Sequence, residues 1–498
     1  EMIAVISDEK RRKFNEKEWR VDGLPQIILP IRIIDATGLG LGPFLLAYVC
    51  LFLIEKLIVK PNLERSLRQM QIAEESGKVP LILCDENARR EMKERITTLR
   101  IDIQNSQSLT CFGKFFFYLS VLKCLRGHQG LLALGQEAHE ERVITPVFIA
   151  SLPRTGSTIL HRLMSLDRKR WRTFDFCDQL LPLQPSPIPR NDEGGRKKLG
   201  KLASKILNVM ELLFPGWNSC IASVHSVTAD EANEDHAWYN SALGHPYVGA
   251  LMLLYQEERA RANKNHGISP LTSKETAKYR YAWLHMILRI YQHAERNADE
   301  KRGVRKSDDP TEKLNVPWLL KDPRHANALP EILTEFPDAK FIFTHRLPRD
   351  LFPSVTKLLI CSTCTFNVPG AKGTSSKEWG KEVLIRTERL CKSLVDFTKK
   401  HKGTSLGNLA TKNKSKPYET DRRIDLRFEE FIKNIPGAII QIYQQLFPDQ
   451  PGPTEDILEK FKLYLEKNRT KSSQRYKLED FHVTEIDLNF PEYISMFC

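Results

Sequence analysis

At 498 residues, with 41% hydrophobic and 28% charged positions, the chain can bury a large core plus an appendage and is too apolar for wholesale disorder. A formal charge of +13 points to an anionic ligand or an anionic membrane surface. No zinc-finger spacing and no RNP-type aromatic strand speaks for nucleic acid, and the 10 cysteines form no metal or disulfide framework, Cys361 and Cys364 being the one close pair.

In chain order, the first marked feature is "GLGLGPFLLAYVCLFLI", residues 38–54, a run without a charge. As a helix it measures about 25 Å, slightly under the ~30 Å hydrocarbon core. It starts too far in and lacks the cleavage site for a signal peptide. The expectation is a membrane-associated segment, single-pass or interfacial, with a buried core helix as the alternative. Arg32 on one side and Lys56 and Lys60 on the other give no inside bias, so the side of the membrane stays open. A second apolar stretch, 111–125, is broken by Lys114 and Lys123 and fits a helix packed on the fold or lying on a membrane face. Residues 60–142 alternate apolar and charged clusters at helical spacing, so 1–140 reads as a helical N-terminal region and 141–498 as the main domain.

"PVFIASLPRTGSTILHRLMSLD", 146–167, reads as strand, tight loop and amphipathic helix. The proline-dotted, polar 182–201 reads as a loop. Residues 273–294 carry apolar positions at 281, 284, 287, 288 and 291, a helix, and 296–315 is a charged surface insert. A strand at 318–321, a helix at about 325–335 and a second strand at 340–344 make a parallel βαβ unit. Another strand–helix pair follows at 423–447. The sequons at Asn413 and Asn468 permit glycosylation in a secretory lumen and leave the compartment open.

The chemistry starts at Arg154-Thr155-Gly156-Ser157-Thr158. A loop that feeds a helix N-terminus presents backbone N–H groups and a partial positive charge, which suits an anion. Gly156 allows close approach, the Ser157 and Thr158 hydroxyls add donors, and Arg154 adds a fixed cation. A Walker A loop would need a lysine directly after the glycine. Here Ser157 stands there, so the loop should hold a phosphate without building a Mg-triphosphate site. Past the strand at 340–344, Arg346 at its C-terminal end and Ser354 in the next helix can converge on a second phosphate, at the sheet edge where ligands bind in such folds.

"PRTGST" (153–158), "WLLKDPRH" (318–325) and "FPDAKFIFTHRLPRDLFPS" (336–354) together resemble the PAPS-dependent sulfotransferases, in the branch whose first loop reads Arg-Thr-Gly-Thr-Thr. The likeness runs over roughly 143–485. It implies an α/β fold of P-loop-NTPase type, a parallel sheet flanked by helices, with PAPS as co-substrate and no metal. The resemblance places the 5′-phosphosulfate on 154–158 and the 3′-phosphate against Arg346 and Ser354. Departures are Ser157 for threonine, Leu347 for aspartate, Ala150-Ser151 for a glycine, and Asp322 for serine; Asp322 would repel an anion if it faced the site.

Sulfuryl transfer resembles phosphoryl transfer, an in-line displacement helped by positioning and electrostatics. Arg154 is the candidate to stabilise the leaving phosphate and Lys321 to reach the sulfuryl oxygens. The base is sought in 223–240, where Glu234 aligns with a glutamate of the matching branch, ahead of His325 and His236. A solvated acidic helix start capped by Thr228 or Asp230 is the plainer account of that stretch. The histidine mechanism of cytosolic sulfotransferases does not carry over, because Pro323 occupies the equivalent position. The expected reaction moves a sulfuryl group to a hydroxyl, or an amine, of an acceptor whose class the sequence leaves open. Two rival readings remain: a small-molecule kinase of P-loop type, for which no Walker lysine is found, and a membrane-tethered PAPS-binding protein without catalysis.

Overall fold

The structure, a computed structural model, describes residues 137–180, 187–213, 228–229, 231–235, 274–303, 316–363, 375–401, 422–468 and 476–498, with a few isolated positions before them. The apolar run 38–54 lies outside the described residues, as does nearly all of 1–133. Among the described residues no helix is long and apolar enough to cross a membrane.

Strands β1 (Val147–Ile149), β2 (Leu319–Lys321), β3 (Lys340–His345) and β4 (Arg423–Arg427) form one parallel sheet in the order β2-β1-β3-β4. Val147 pairs with Leu319 on one side and Lys340 on the other. A central strand of a parallel sheet is covered on both faces, which explains why β1 and the Phe341–Phe343 centre of β3 are apolar without alternation and both strands are buried throughout. The period-two geometry then divides the core. Val147, Ile149, Leu319, Ile342 and Ile424 face α1 (Ser157–Ser165) and the later helices α9 (Ile435–Leu446) and α10 (Glu455–Lys467). Phe148, Leu320, Phe341 and Phe343 face α4 (Lys274–Lys301), α5 (Leu329–Glu335), α6 (Pro348–Thr363), α7 (Ser376–Lys400) and α11 (Pro491–Phe497). The result is a three-layered α/β fold whose crossovers all return the chain to the same end of the sheet.

Two expected boundaries shift. Residues 193–213 form helix α3, which starts inside the stretch read as loop. Asp192 supplies its start, accepting the Gly195 amide at 3.0 Å with its side chain. Arg196 then anchors the first turn on Asp175 and Asp178, the latter in the short helix α2 (Phe176–Leu180). Helix α4 runs on to Lys301, into the supposed surface insert, because its charges have partners: Glu295 takes Arg172 and Arg190, and Arg296 takes Glu141. The helix expected at 325–335 is divided into a 3-10 turn, Pro323–Asn327, and α5, each opened by a proline.

Candidate active site

The C-terminal ends of β1, β2 and β3 bring the motifs together. Past β1 the chain turns through two left-handed residues, Arg154 (φ 66°) and Gly156 (φ 82°), before α1 begins. A Cβ on Gly156 would sit 3.2 Å from the Phe428 ring and 3.3 Å from Phe431, so conformation and space both call for glycine. Phe428 and Phe431 belong to the short helix α8 (Phe428–Phe431) that follows β4. The first turn of α1 contains no acidic residue, leaving its positive end without an internal counter-charge.

Thr155 is fully buried and holds the loop in shape: its hydroxyl donates to the Leu152 carbonyl at 2.7 Å and meets the Thr344 hydroxyl at 2.5 Å. It can therefore offer an anion its backbone and not its side chain. A second tie joins the strands, the Thr344 amide donating to the Ser151 hydroxyl at 2.8 Å. Ser151 thus has a structural role where the resembling family carries glycine nearby.

The two phosphate motifs touch. Arg154 Nε donates to Ser354 Oγ at 2.9 Å, and Arg346 Nη1 donates to the Arg154 carbonyl at 3.3 Å. Ser354, read as a ligand of the second phosphate, is here the partner of the arginine from the first loop. Arg346 lies over the Phe428 ring, 4.4 Å from its centre, and its buried Nε has no hydrogen-bond partner. Burial pushes the Arg154 pKa down, the neighbouring Arg346 charge pushes it further, and Glu234 partly offsets both. Two guanidinium groups that disfavour each other, one with an unsatisfied N–H, beside a helix N-terminus, suit a multiply charged anion.

At the end of β2, Lys321 extends towards the loop. Its ammonium donates to Thr158 Oγ1 at 3.1 Å and pairs with Glu234. The Glu234 segment is extended, not the start of a helix: Ala232 bridges Asp175, and Asp235 is bound twice to Lys321. The Lys321 amide donates to Asp235 Oδ1 at 3.1 Å and the Asp235 amide donates back to the Lys321 carbonyl at 3.3 Å. Residue 236 lies outside the described residues.

His325 does not compete for the role of base. It is fully buried, with Nε2 3.0 Å from Asp235 and Nδ1 2.8 Å from the Tyr281 hydroxyl, inside the core behind Lys321. Asp322 also faces away: its carboxylate caps the 3-10 turn and takes the Arg324 guanidinium. The sequence did not single out Phe428, which supports Arg346; Asp235, the acid next to Glu234, fixes Glu234 beside Lys321. An aromatic directly after β4 and a second acid beside Glu234 were the available signals.

One further cluster, Asp175, Cys177 and Asp178, has metal-ligand geometry among the described residues. Arg168 and Arg196 already pair with its carboxylates, and burial pushes the Cys177 thiol up to about 12. That makes it an ion-pair network under α3.

Residues 146–450 match the model of the Sulfotransferase family. The fold resembles that of sulfotransferase STF1 from Mycobacterium tuberculosis H37Rv, with TM-score 0.55 and 16% identity over 82% of this chain and 93% of that one. It also resembles sulfotransferase STF9 from Mycobacterium avium, with TM-score 0.57 and 18% identity over 80% and 89% of the respective chains. No curated protein matches the sequence. With the family model spanning more than half of its length, the chain belongs to the sulfotransferase family.

Proposed function

We propose that the protein transfers a sulfuryl group from PAPS to a hydroxyl, or an amine, of an acceptor, without a metal. The observation that carries this reading is the Thr158–Lys321–Glu234 chain, which links the anion-binding loop directly to a carboxylate. In the proposed reaction the acceptor O–H loses its proton to Glu234 as its oxygen forms the new bond to sulfur. The bond between sulfur and the bridging oxygen of the donor breaks, and PAP leaves with the electron pair. Arg154 and the amides of 156–158 stabilise the charge that develops on the 5′-phosphate. Lys321 faces the sulfuryl oxygens and is exchanged from Glu234 to them when the donor binds. Arg346 and Ser354 take the 3′-phosphate, which answers the unsatisfied Arg346 Nε.

Calorimetric titration with PAP tests the donor half of this reading, with ATP and magnesium as control. Wild type should bind PAP and not ATP, and Arg346→Ala and Arg154→Ala should each bind about ten- to a hundredfold more weakly. ATP binding with magnesium would restore the kinase reading. Glu234→Gln separates an enzyme from a binding protein: it should keep PAP affinity and lose turnover. We further propose that residues 141–498 form the donor-binding domain and that 38–54 attaches it to a membrane. Carbonate extraction of the full chain and of a variant lacking 38–54 tests that attachment; release of both into the soluble fraction would refute it.

A further inference from the structure

The polar group just behind Arg346 is unusually complete. His345, the last residue of β3, is buried, and burial lowers its pKa, so the ring is neutral and carries one N–H. Nε2 lies 2.7 Å from Asp425 Oδ1, and Asp425 is also held by Arg423 through contacts of 2.7 and 2.8 Å. A carboxylate only accepts, so Nε2 carries the proton and Nδ1 is the acceptor. The group facing Nδ1, at 3.1 Å, is the Tyr493 hydroxyl, which therefore donates to it.

His345 is the residue directly before Arg346, so what holds its ring also holds the start of the Arg346 backbone. Tyr493 is 1% exposed and sits in α11, whose Phe497 ring stacks on His345 at 4.1 Å with an angle of 3° between the planes. Donors and acceptors thus fall in one order: Tyr493 hydroxyl to His345 Nδ1, His345 Nε2–H to Asp425. On the other side, the Arg346 guanidinium rests on Phe428 and reaches the Arg154 carbonyl. The residue before Arg346 is held by α11 and Asp425, and the Arg346 side chain is held from the opposite side. Buried polar groups are costly unless fully paired, so an apolar residue at 493 would be the simpler filler if packing were the only requirement.

We propose that Tyr493 is a positioning residue for the donor's 3′-phosphate, acting through His345 on the adjoining Arg346. The inference rests on the reading of Arg346 given above. It assigns a donor-affinity role to a helix that carries none of the phosphate motifs.

Tyr493→Phe keeps the ring and removes the hydroxyl. The measurement is the affinity of the full chain for PAP and for adenosine 5′-phosphate, which lacks the 3′-phosphate, by calorimetry or competition. Losing one ordered hydrogen bond should weaken PAP by about fivefold to tenfold and leave adenosine 5′-phosphate unchanged. Asp425→Asn, one link further along, should give a smaller change of the same kind. If both variants bind PAP as wild type does, or lose both nucleotides in parallel, the hydroxyl only packs and the inference is overturned. If wild type itself fails to prefer PAP over adenosine 5′-phosphate, the 3′-phosphate reading of Arg346 falls first and takes this one with it. The two failures are told apart by the protein in which they are seen.

Discussion

The two halves of the sheet edge are built on opposite electrostatic plans. At the ends of β1 and β3, Arg154 and Arg346 stand together beside a helix N-terminus; burial and the neighbouring Arg346 charge disfavour the Arg154 charge, which Glu234 partly restores. At the end of β2, Lys321 is satisfied by Thr158 and Glu234, and Asp235 pins the segment from behind. A half in which two guanidinium groups adjoin suits a permanent anion, whereas a half that pairs a lysine with a carboxylate suits a proton that must move. In the proposed reaction this contrast separates donor binding from acceptor activation by position on one edge.

Glu234→Gln should break this division most severely. Removing a general base lowers turnover about 10²- to 10⁴-fold, measured as transfer of radiolabelled sulfate from PAPS to cell-extract acceptors, while calorimetric PAP affinity stays the same. Loss of PAP binding in that variant would mean the halves are not separable. A second expectation concerns His161, which sits in α1 with Nε2 3.3 Å from the Leu319 carbonyl. Burial, reinforced by the Lys321 charge, lowers its pKa to about 4. The unfolded chain therefore binds the proton first as pH falls, so stability is lost between about pH 6.5 and pH 4 and is flat in this respect below that. At its full extent the loss is about 3 kcal/mol; denaturant melts at pH 7 and 4.5 should show it, and His161→Gln should reduce it.

On the donor side, Arg346→Ala and Arg154→Ala should each cost about 1.5–3 kcal/mol of PAP binding with the fold intact by circular dichroism. A selective loss of turnover with unchanged PAP affinity would move Arg154 from the donor half to the acceptor half. The smallest expected effect is Gly156→Ala. A left-handed residue other than glycine costs about 1–2 kcal/mol, and the added Cβ meets Phe428 and Phe431. Its melting temperature should fall by about 1–2 °C, since a chain of this size shifts by roughly 1 °C per kcal/mol.

Much of this plan was legible before any coordinates. Continuous apolar runs named β1 and β3, and the glycine in a strand-to-helix turn named the anion loop, because both follow from local geometry. The pairing of Lys321 with Glu234 was not legible, since it depends on how the 231–235 segment folds back onto β2. His325 was offered as a base because spacing alone cannot tell a buried histidine from an exposed one. The extent of α4 was missed for a related reason: Glu295 and Arg296 look like a solvated charge run until their partners Arg172, Arg190 and Glu141, distant in sequence, are known. Thr155 looked like a ligand because it lies in the loop, yet its hydroxyl serves the loop itself.

The order β2-β1-β3-β4 has a consequence for biosynthesis. β1 is made first, lies inside the sheet, and cannot pair with a neighbour until Leu319–Lys321 or Lys340–His345 has emerged from the ribosome. Contacts this distant along the chain close slowly, and an unpaired apolar strand is prone to aggregate in the interval. Val147–Ile149 is therefore the segment for which a nascent chain stalled before residue 319 would most need a chaperone.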